Sequence, residues 1–425
     1  MEECTQAADS EPRLCSAESA ELALTSGAPI LKSRKDAPHV VVIDEKPPGE
    51  GGASAAAAGL LHPFTPRGKL TWLGREGFSS SLRLLDIAQR QSLAPLLSSP
   101  RVHDGRGQGW GGPRGGLVMT ARSDRLLQDF MRTALVYPHD LELFRLDRTD
   151  HGLRLTRPDE ERDAADTGLS RMEYALHVRA GVAVNGSSYS KALWSACKER
   201  AGERRACGTR GAATWLTQRV ERLADVPAFV PDVDAVVVAL GAASVLLPEL
   251  RPFLPITCVG GHNIVFDRAE RGSARISQGQ SCQLEYHKDA LPWPVLSGKY
   301  VVPMQVWDSS SSSSKHVLCA GATHEHGEAA ELLARGPRLD VAASELLPAL
   351  RGLFPPLADE TAWTPVRALY GVRALARRQQ EGRIPYCGRV APQYIAGSLC
   401  PPSGVWVLTG LGSRGLIHHG ILGQC

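Results

Sequence analysis

The sequence predicts an α/β protein in which a parallel sheet assembled from distant segments carries a second domain of antiparallel strands, made from the insertions between those segments. Three observations predict it. Val40–Ile43 is an unbroken β-branched run ending on Asp44 and Glu45, the pattern of a strand covered on both faces. "DVDAVVVALGAAS" (232–244) repeats that pattern and runs straight into Gly241. Between such runs lie short strand-like pieces set among glycines and charges, among them "GLVMTA", "YALHVRA" and "NIVF", which read as antiparallel strands.

In chain order, residues 1–37 show no sustained period and are expected to be a disordered leader. A strand at 40–43 follows, then a helix over 75–97 with Leu82, Leu85, Ile87 and Ala88 on one side. "SSYSKALWSACKERA" (187–201) is a second helix, with Ala192, Leu193, Ala196 and Cys197 as its apolar stripe. The segments "KYVVPMQVW" and "KHVLCAGAT" are strands joined by a hairpin whose tip is the serine run 309–314, and one helix is expected near 328–351. A last buried strand, turn and helix, "VWVLTGLGSRGLIHHGIL", closes the chain. The expected division is a first domain over 38–98, 179–255 and 385–425 and a second over 99–178 and 256–384.

Composition narrows the function classes. With 425 residues, 43% of them hydrophobic, the chain can bury a full core. No run of 18 apolar residues occurs, so a membrane span is not expected. The 48 basic and 45 acidic residues nearly balance, far from the basic stripe of a general nucleic-acid binder. The ten cysteines contain no CxxC pair and read as reduced, mostly buried small hydrophobes. The acidic first 30 residues resemble no targeting segment, which favours the cytoplasm; a true start upstream would open plastid or mitochondrion. The oligomeric state is not readable.

Chemistry concentrates in four segments. "GEGGASAAAAGLLHPFTPRGKL" (49–70), "DAVVVALGAAS" (234–244), "ALYGVRALARRQQEGRIPYCGRV" (368–390) and "VWVLTGLGSRGL" (405–416) resemble, in order, the D-amino-acid-oxidase-like family of FAD-dependent amine oxidoreductases. The likeness is tightest to the branch holding glycine oxidase and the oxidase domain that completes 5-methylaminomethyl-2-thiouridine in tRNA. It covers residues 39–425 and implies a Rossmann-like FAD-binding sheet with an inserted antiparallel substrate domain. By that resemblance Glu45 and Lys46 stand at the ribose. Ala53, Ser54, Gly59 and Leu60 run beside the pyrophosphate and flavin, and Val220, Gly241, Ala242 and Gly388 complete the cofactor's wall. Gly410, Gly412, Ser413, Arg414, Gly415 and Leu416 form a turn and helix start whose N–H groups suit the electron-rich end of a reduced flavin. A tight turn that merely needs glycines is the plainer reading of the same residues.

For catalysis the resemblance implies that Arg373 of "GVRA" grips a substrate carboxylate, a structural salt bridge being the competing role. His62 and Arg67 are expected on the flavin face, where positive charge favours the reduced ring; a core histidine is the alternative. His324, Glu325 and His326 lack a third ligand at familiar spacing, so no metal is expected. Two departures stand out. No strand with GxGxxG precedes Val40, only Gly27, and the chain stops at Cys425, so an incomplete product is expected. The expected activity is oxidation of the C–N bond of an amino-acid-like amine by hydride transfer to FAD. Removal of a carboxymethyl group from a modified wobble uridine in tRNA is a second reading, and a truncated, cofactor-free, non-catalytic product a third.

Overall fold

The computed structural model describes residues 39–92, 96, 115–149, 152–157, 173–206, 211–268, 291–308, 313–379, 382–391, 395 and 401–424. The expected leader and the question of a strand ahead of Val40 therefore lie outside the described residues. Among the described residues, no helix is long and apolar enough to cross a membrane.

Most strands join one ten-stranded sheet. Along it run β14 (Glu325–His326), β10 (Ile256–Arg268), β13 (Ser313–Gly321), β12 (Lys299–Asp308), β11 (Val295–Ser297), β3 (Leu117–Thr120), β6 (Glu173–Val178), β4 (Leu141–Thr149) and β5 (Gly152–Thr156), while β15 (Trp363–Ala376) pairs with the free side of β10. All pairs are antiparallel except β11–β3. Apolar residues at every second position bury one face: Ile264, Phe266, Val301 and Leu318 pack on Leu346, Leu350 and Phe354 of the helix Leu339–Leu353 and the turn after it. The β10–β15 register sets Val259 opposite Arg373 and His262 opposite Tyr370. Neighbouring side chains on a strand point to opposite faces, so Gly261, Asn263, Gly371 and Arg373 share the front, and His262 and Tyr370 the back.

The parallel strands form two separate pieces. In one, β1 (His39–Asp44) lies parallel to β8 (Ala212–Thr217). In the other, β9 (Val236–Val238) lies parallel to β19 (Val405–Thr409), which also pairs with β18 (Tyr386–Arg389). Both strands expected to be covered on two faces are edges instead. Val40 is 48% and Val237 is 64% exposed, because among the described residues each strand has a hydrogen-bonded neighbour on one side only. Only β19 keeps the buried pattern, with Val405, Val407 and Thr409 inside.

Three helices back these pieces. The helix Gly74–Arg90 packs on Gly186–Ala206 and on Gly415–Leu422 through Leu85, Ala88, Ala192 and Ile417. Ser81 Oγ donates to the Leu416 carbonyl at 2.6 Å. The single helix expected near 328–351 is two, Ala329–Leu333 and Leu339–Leu353, divided at Gly336–Pro337, where proline lacks the amide that would continue the ladder. Strands β12 and β13 pair as a hairpin up to Asp308 and Ser313, and residues 309–312 of the serine tip lie outside the described ones. Cysteine burial is mixed: Cys258 and Cys319 are buried and Cys197 and Cys387 exposed.

Candidate cofactor and substrate site

Small residues let one short helix, Gly52–Ala56, lie flat on the front of the large sheet. A Cβ on Gly371 would sit 2.8 Å from Ala53 Cα and 3.0 Å from Ala56 Cβ, so glycine there is what permits the contact. Asn263 ties the two together, its Nδ2 donating to the Ala56 carbonyl at 2.7 Å while its Oδ1 accepts from the Tyr300 hydroxyl at 2.8 Å. Tyr300 lies on the same face, where burial above all holds its hydroxyl protonated, and Arg373 works the other way. Cys319, beside it in the register, is pushed up to about 12 by burial. Arg373 therefore points into a surface of small and neutral groups. Its guanidinium meets the Thr323 carbonyl at 3.5 Å, and among the described residues no carboxylate pairs with it.

The closing turn reaches the same place. Leu375 of β15 bridges Leu411, Ala376 N–H donates to the Gly410 carbonyl at 3.3 Å, and Gly412 lies against the Leu375 side chain. Thr409 Oγ1 donates to the Gly241 carbonyl at 2.9 Å, which draws the end of β9 alongside. Gly241, Gly410 and Gly412 all have positive φ, at 56°, 78° and 58°. Added Cβ atoms on Gly52, Gly241 and Gly415 would meet nothing within 4 Å, so bare backbone faces open space at three converging points. Arg414 is half-buried, and burial works against its charge; no acidic side chain pairs with it among the described residues. Two histidines feel that charge. His62 and His418 are both lowered to about 4, by burial first and Arg414 next. The Nδ1 atoms of both are buried without a partner, and His418, only 3% exposed, stacks near Trp72. A cation without an acidic partner among the described residues, two orphaned imidazole nitrogens and glycines open on their Cβ side together fit the electron-rich edge of a flavin dinucleotide.

The expected site residues divide accordingly. Ala53, Gly241, Gly410, Gly412, Arg414 and Arg373 are drawn together as described. Gly59, at φ 68°, is pressed on the Val184 backbone, and Leu60 starts the short strand Leu60–Leu61 paired with Val182–Ala183. The Ser54 carbonyl lies under Gly186, Ala242 is buried beside Cys258, and Ser413 is exposed ahead of Gly415 and Leu416, which open the last helix. Glu45 and Lys46 are exposed just past β1, where Asp44 Oδ1 accepts from the Lys46 amide at 2.8 Å. Val220 packs with Leu223, Val238 and Val407 in the core below the parallel strands, and Gly388 sits in β18 facing open space. Arg67 is on the exposed tip of the turn Thr65–Lys69, its amide bonded to Thr65 Oγ1 at 3.2 Å. Tyr300, Asn263 and His418 escaped the sequence reading. The first two look like ordinary strand positions, and the first histidine of a helical pair carries no mark of burial.

Comparison with known proteins bears on the whole chain. The family model described as FAD dependent oxidoreductase matches residues 30–425. No curated protein sequence matches. Among solved structures the fold is similar to iminodiacetate oxidase from Chelativorans sp. BNC1, with a TM-score of 0.55, 19% identity, and 91% of this chain and 87% of that one covered. It is also similar to glycine oxidase from Geobacillus kaustophilus, with a TM-score of 0.55, 17% identity and coverage of 91% and 86%. L-proline dehydrogenase from P. horikoshii is similar at a TM-score of 0.50 and 12% identity, with 91% of each chain covered.

Proposed function

The chain belongs to the FAD-dependent oxidoreductase family, and from that premise we propose that it oxidises the C–N bond of a primary or secondary amine whose carbon neighbour carries a carboxylate. The observation that carries this reading is the Arg373 guanidinium, without an acidic partner among the described residues, on the sheet face that also presents Tyr300 and packs on Gly52–Ala56. Arg373 grips the carboxylate through two parallel N–H bonds, and the Tyr300 hydroxyl, its proton held by burial, is placed to share that load. When bound, FAD supplies the two-electron acceptor that takes the hydride from the amine-bearing carbon. The chain's own task is orientation and dryness: Leu369, Met304, Val302 and Leu60 line the same face and exclude water around the reacting carbon. Arg414 and the 410–416 turn would hold the cofactor where negative charge grows, with His62 and His418 kept neutral beside it. Similar structures include oxidases named for glycine and iminodiacetate, both amines flanked by carboxylate.

A second reading keeps the contacts and changes the substrate to a carboxymethylamino-modified wobble uridine in tRNA. Its support is a cationic rim: Arg122 lies over Gly298, Lys299 Nζ donates to the Ala322 carbonyl at 2.6 Å, and exposed His324 feels both Arg373 and Lys299. Glu345 offsets part of that charge, 3.5 Å from Lys299. The test is anaerobic mixing of FAD-loaded protein with glycine, sarcosine or iminodiacetate. Bleaching of the flavin's visible band by one of them, lost in Arg373→Ala, is expected. Bound flavin that none of them bleaches, with wobble uridine altered in tRNA from cells lacking the protein, would transfer the assignment to RNA.

A further inference from the structure

Among the described residues the Arg373 guanidinium donates to the Thr323 carbonyl, and that carbonyl is held from behind the sheet by a closed set of hydrogen bonds. Thr323 is stitched to β10 twice: its N–H donates to the His262 carbonyl at 3.1 Å, and its Oγ1 accepts from the His262 N–H at 2.7 Å. The same hydroxyl donates to Glu325 Oε1 at 3.2 Å. Glu325 Oε1 also accepts from His262 Nδ1 at 2.7 Å, and Oε2 pairs with Arg335 Nη1 at 3.0 Å. One carboxylate thus collects three donors, from the loop leading into β14, from β10 and from the segment after the helix Ala329–Leu333. Burial pushes the Glu325 carboxyl up, but the hydrogen bonds from Arg335, His262 and Thr323 outweigh it and leave it below the ordinary carboxylate value. His262 is 3% exposed and wedged against the Tyr370 ring, centroids 4.6 Å apart, so its Nδ1 has little freedom to turn elsewhere. Its Nε2 is buried without a partner, which leaves the bond to Glu325 as the imidazole's anchor.

Glycine completes the arrangement. A Cβ on Gly261 would lie 2.7 Å from the Thr323 carbonyl and 3.1 Å from Arg373 Nη2, so the bare backbone at 261 is the floor across which the two meet. The clasp lies on the back face with His262 and Tyr370, and its one product on the front is the direction of the Thr323 carbonyl. Resting on the reading of Arg373 as the carboxylate grip, we propose that Thr323, Glu325 and His262 form a positioning clasp that aims the Arg373 guanidinium at the substrate's carboxylate. They are positioning residues, acting through Arg373 and touching no reacting atom.

A clasp of this kind sets affinity for the carboxylate and leaves the hydride step at saturation alone. The probe is glycolate, a carboxylate with no amine to oxidise, titrated calorimetrically into FAD-loaded protein. Glu325→Gln and Thr323→Val are each expected to weaken glycolate about tenfold, the size of one lost oriented hydrogen bond. Thr323→Ser, which keeps the hydroxyl, is expected to restore wild-type affinity, and FAD affinity should be unchanged in all three. With the oxidised amine, KM should rise about as much as glycolate's Kd while kcat holds. In an Arg373→Lys background Glu325→Gln is expected to add no further loss, since both act through one guanidinium. If Arg373→Lys weakens glycolate while Thr323→Val does not, or if the Glu325 and Arg373 losses simply add, the clasp is wrong and the grip stands. If Arg373→Lys itself leaves glycolate binding unchanged, the grip fails and the clasp with it. Thr323→Val is nearly isosteric, so the measurement survives if Glu325→Gln does not fold.

Discussion

The ten-stranded sheet and the two parallel pieces differ in how far the chain alone completes them. The large sheet closes its back face with Phe266, Phe354, Val301 and Leu350 at essentially no exposure, and its long β10–β15 pairing runs from Ile256↔Ala376 to Arg268↔Trp363. Among the described residues the parallel pieces leave β1 and β9 with one partnered side each, show Val40 and Val237 to solvent, and aim Gly52, Gly241 and Gly415 at open space. Unpaired backbone and bare glycine cost stability in isolation and serve only where something else supplies the contact. The difference teaches where the described residues are self-sufficient: the large sheet is closed by its own core, and the parallel pieces are not.

The sharpest test of that contrast is mutational. Phe266→Ala in the large sheet is expected to cost about 3 to 5 kcal/mol, read from urea unfolding. A cost near zero would mean the sheet is less closed than its packing indicates. Next in size is the ligand's own contribution. FAD at a hundredfold excess over its Kd should stabilise the fold by about 2.7 kcal/mol, and Arg414→Leu should lose most of that gain at the same concentration. An undiminished gain would remove Arg414 from the cofactor site.

Acid provides a third lever. His62 and His418 sit at about 4 in the fold against an ordinary 6.5, so between those values the unfolded chain binds more protons. Their contribution is complete above pH about 6.5 and is lost as pH falls toward about 4, on the order of 3 kcal/mol for each histidine at most. His418→Gln should flatten that slope; an unchanged slope would show that His418 is not held neutral by its surroundings. The smallest effect falls on the open edge, where Val237→Thr should stay within about 0.5 kcal/mol because the side chain is mostly in solvent.

How much of this the sequence disclosed depends on the range of the interaction. The alternating apolar pattern of β10, β12 and β13 announces strands locally, and the glycines at 410, 412 and 415 announce a turn before a helix. The break at Gly336–Pro337 was equally visible and was read through. Burial of β1 and β9 was overread, because β-branched runs report a preference for strand and not how many neighbours the strand finds. The Glu325–His262 bond joins residues 63 apart in sequence, and Asn263 reaches Ala56 across 207, so neither could be seen before the strands were in register. His62 and His418 lie still farther apart, and only the fold shows both beside Arg414.

The central claim is that segments 52–60, 241–242, 371–376 and 410–416 wall one FAD cleft. Amide hydrogen exchange of the full chain, with and without FAD, tests it most directly. Slowed exchange in all four segments on adding FAD, with β4 and β5 at the far end of the large sheet unchanged, is the predicted result. FAD that binds while those four segments exchange as before would contradict the account.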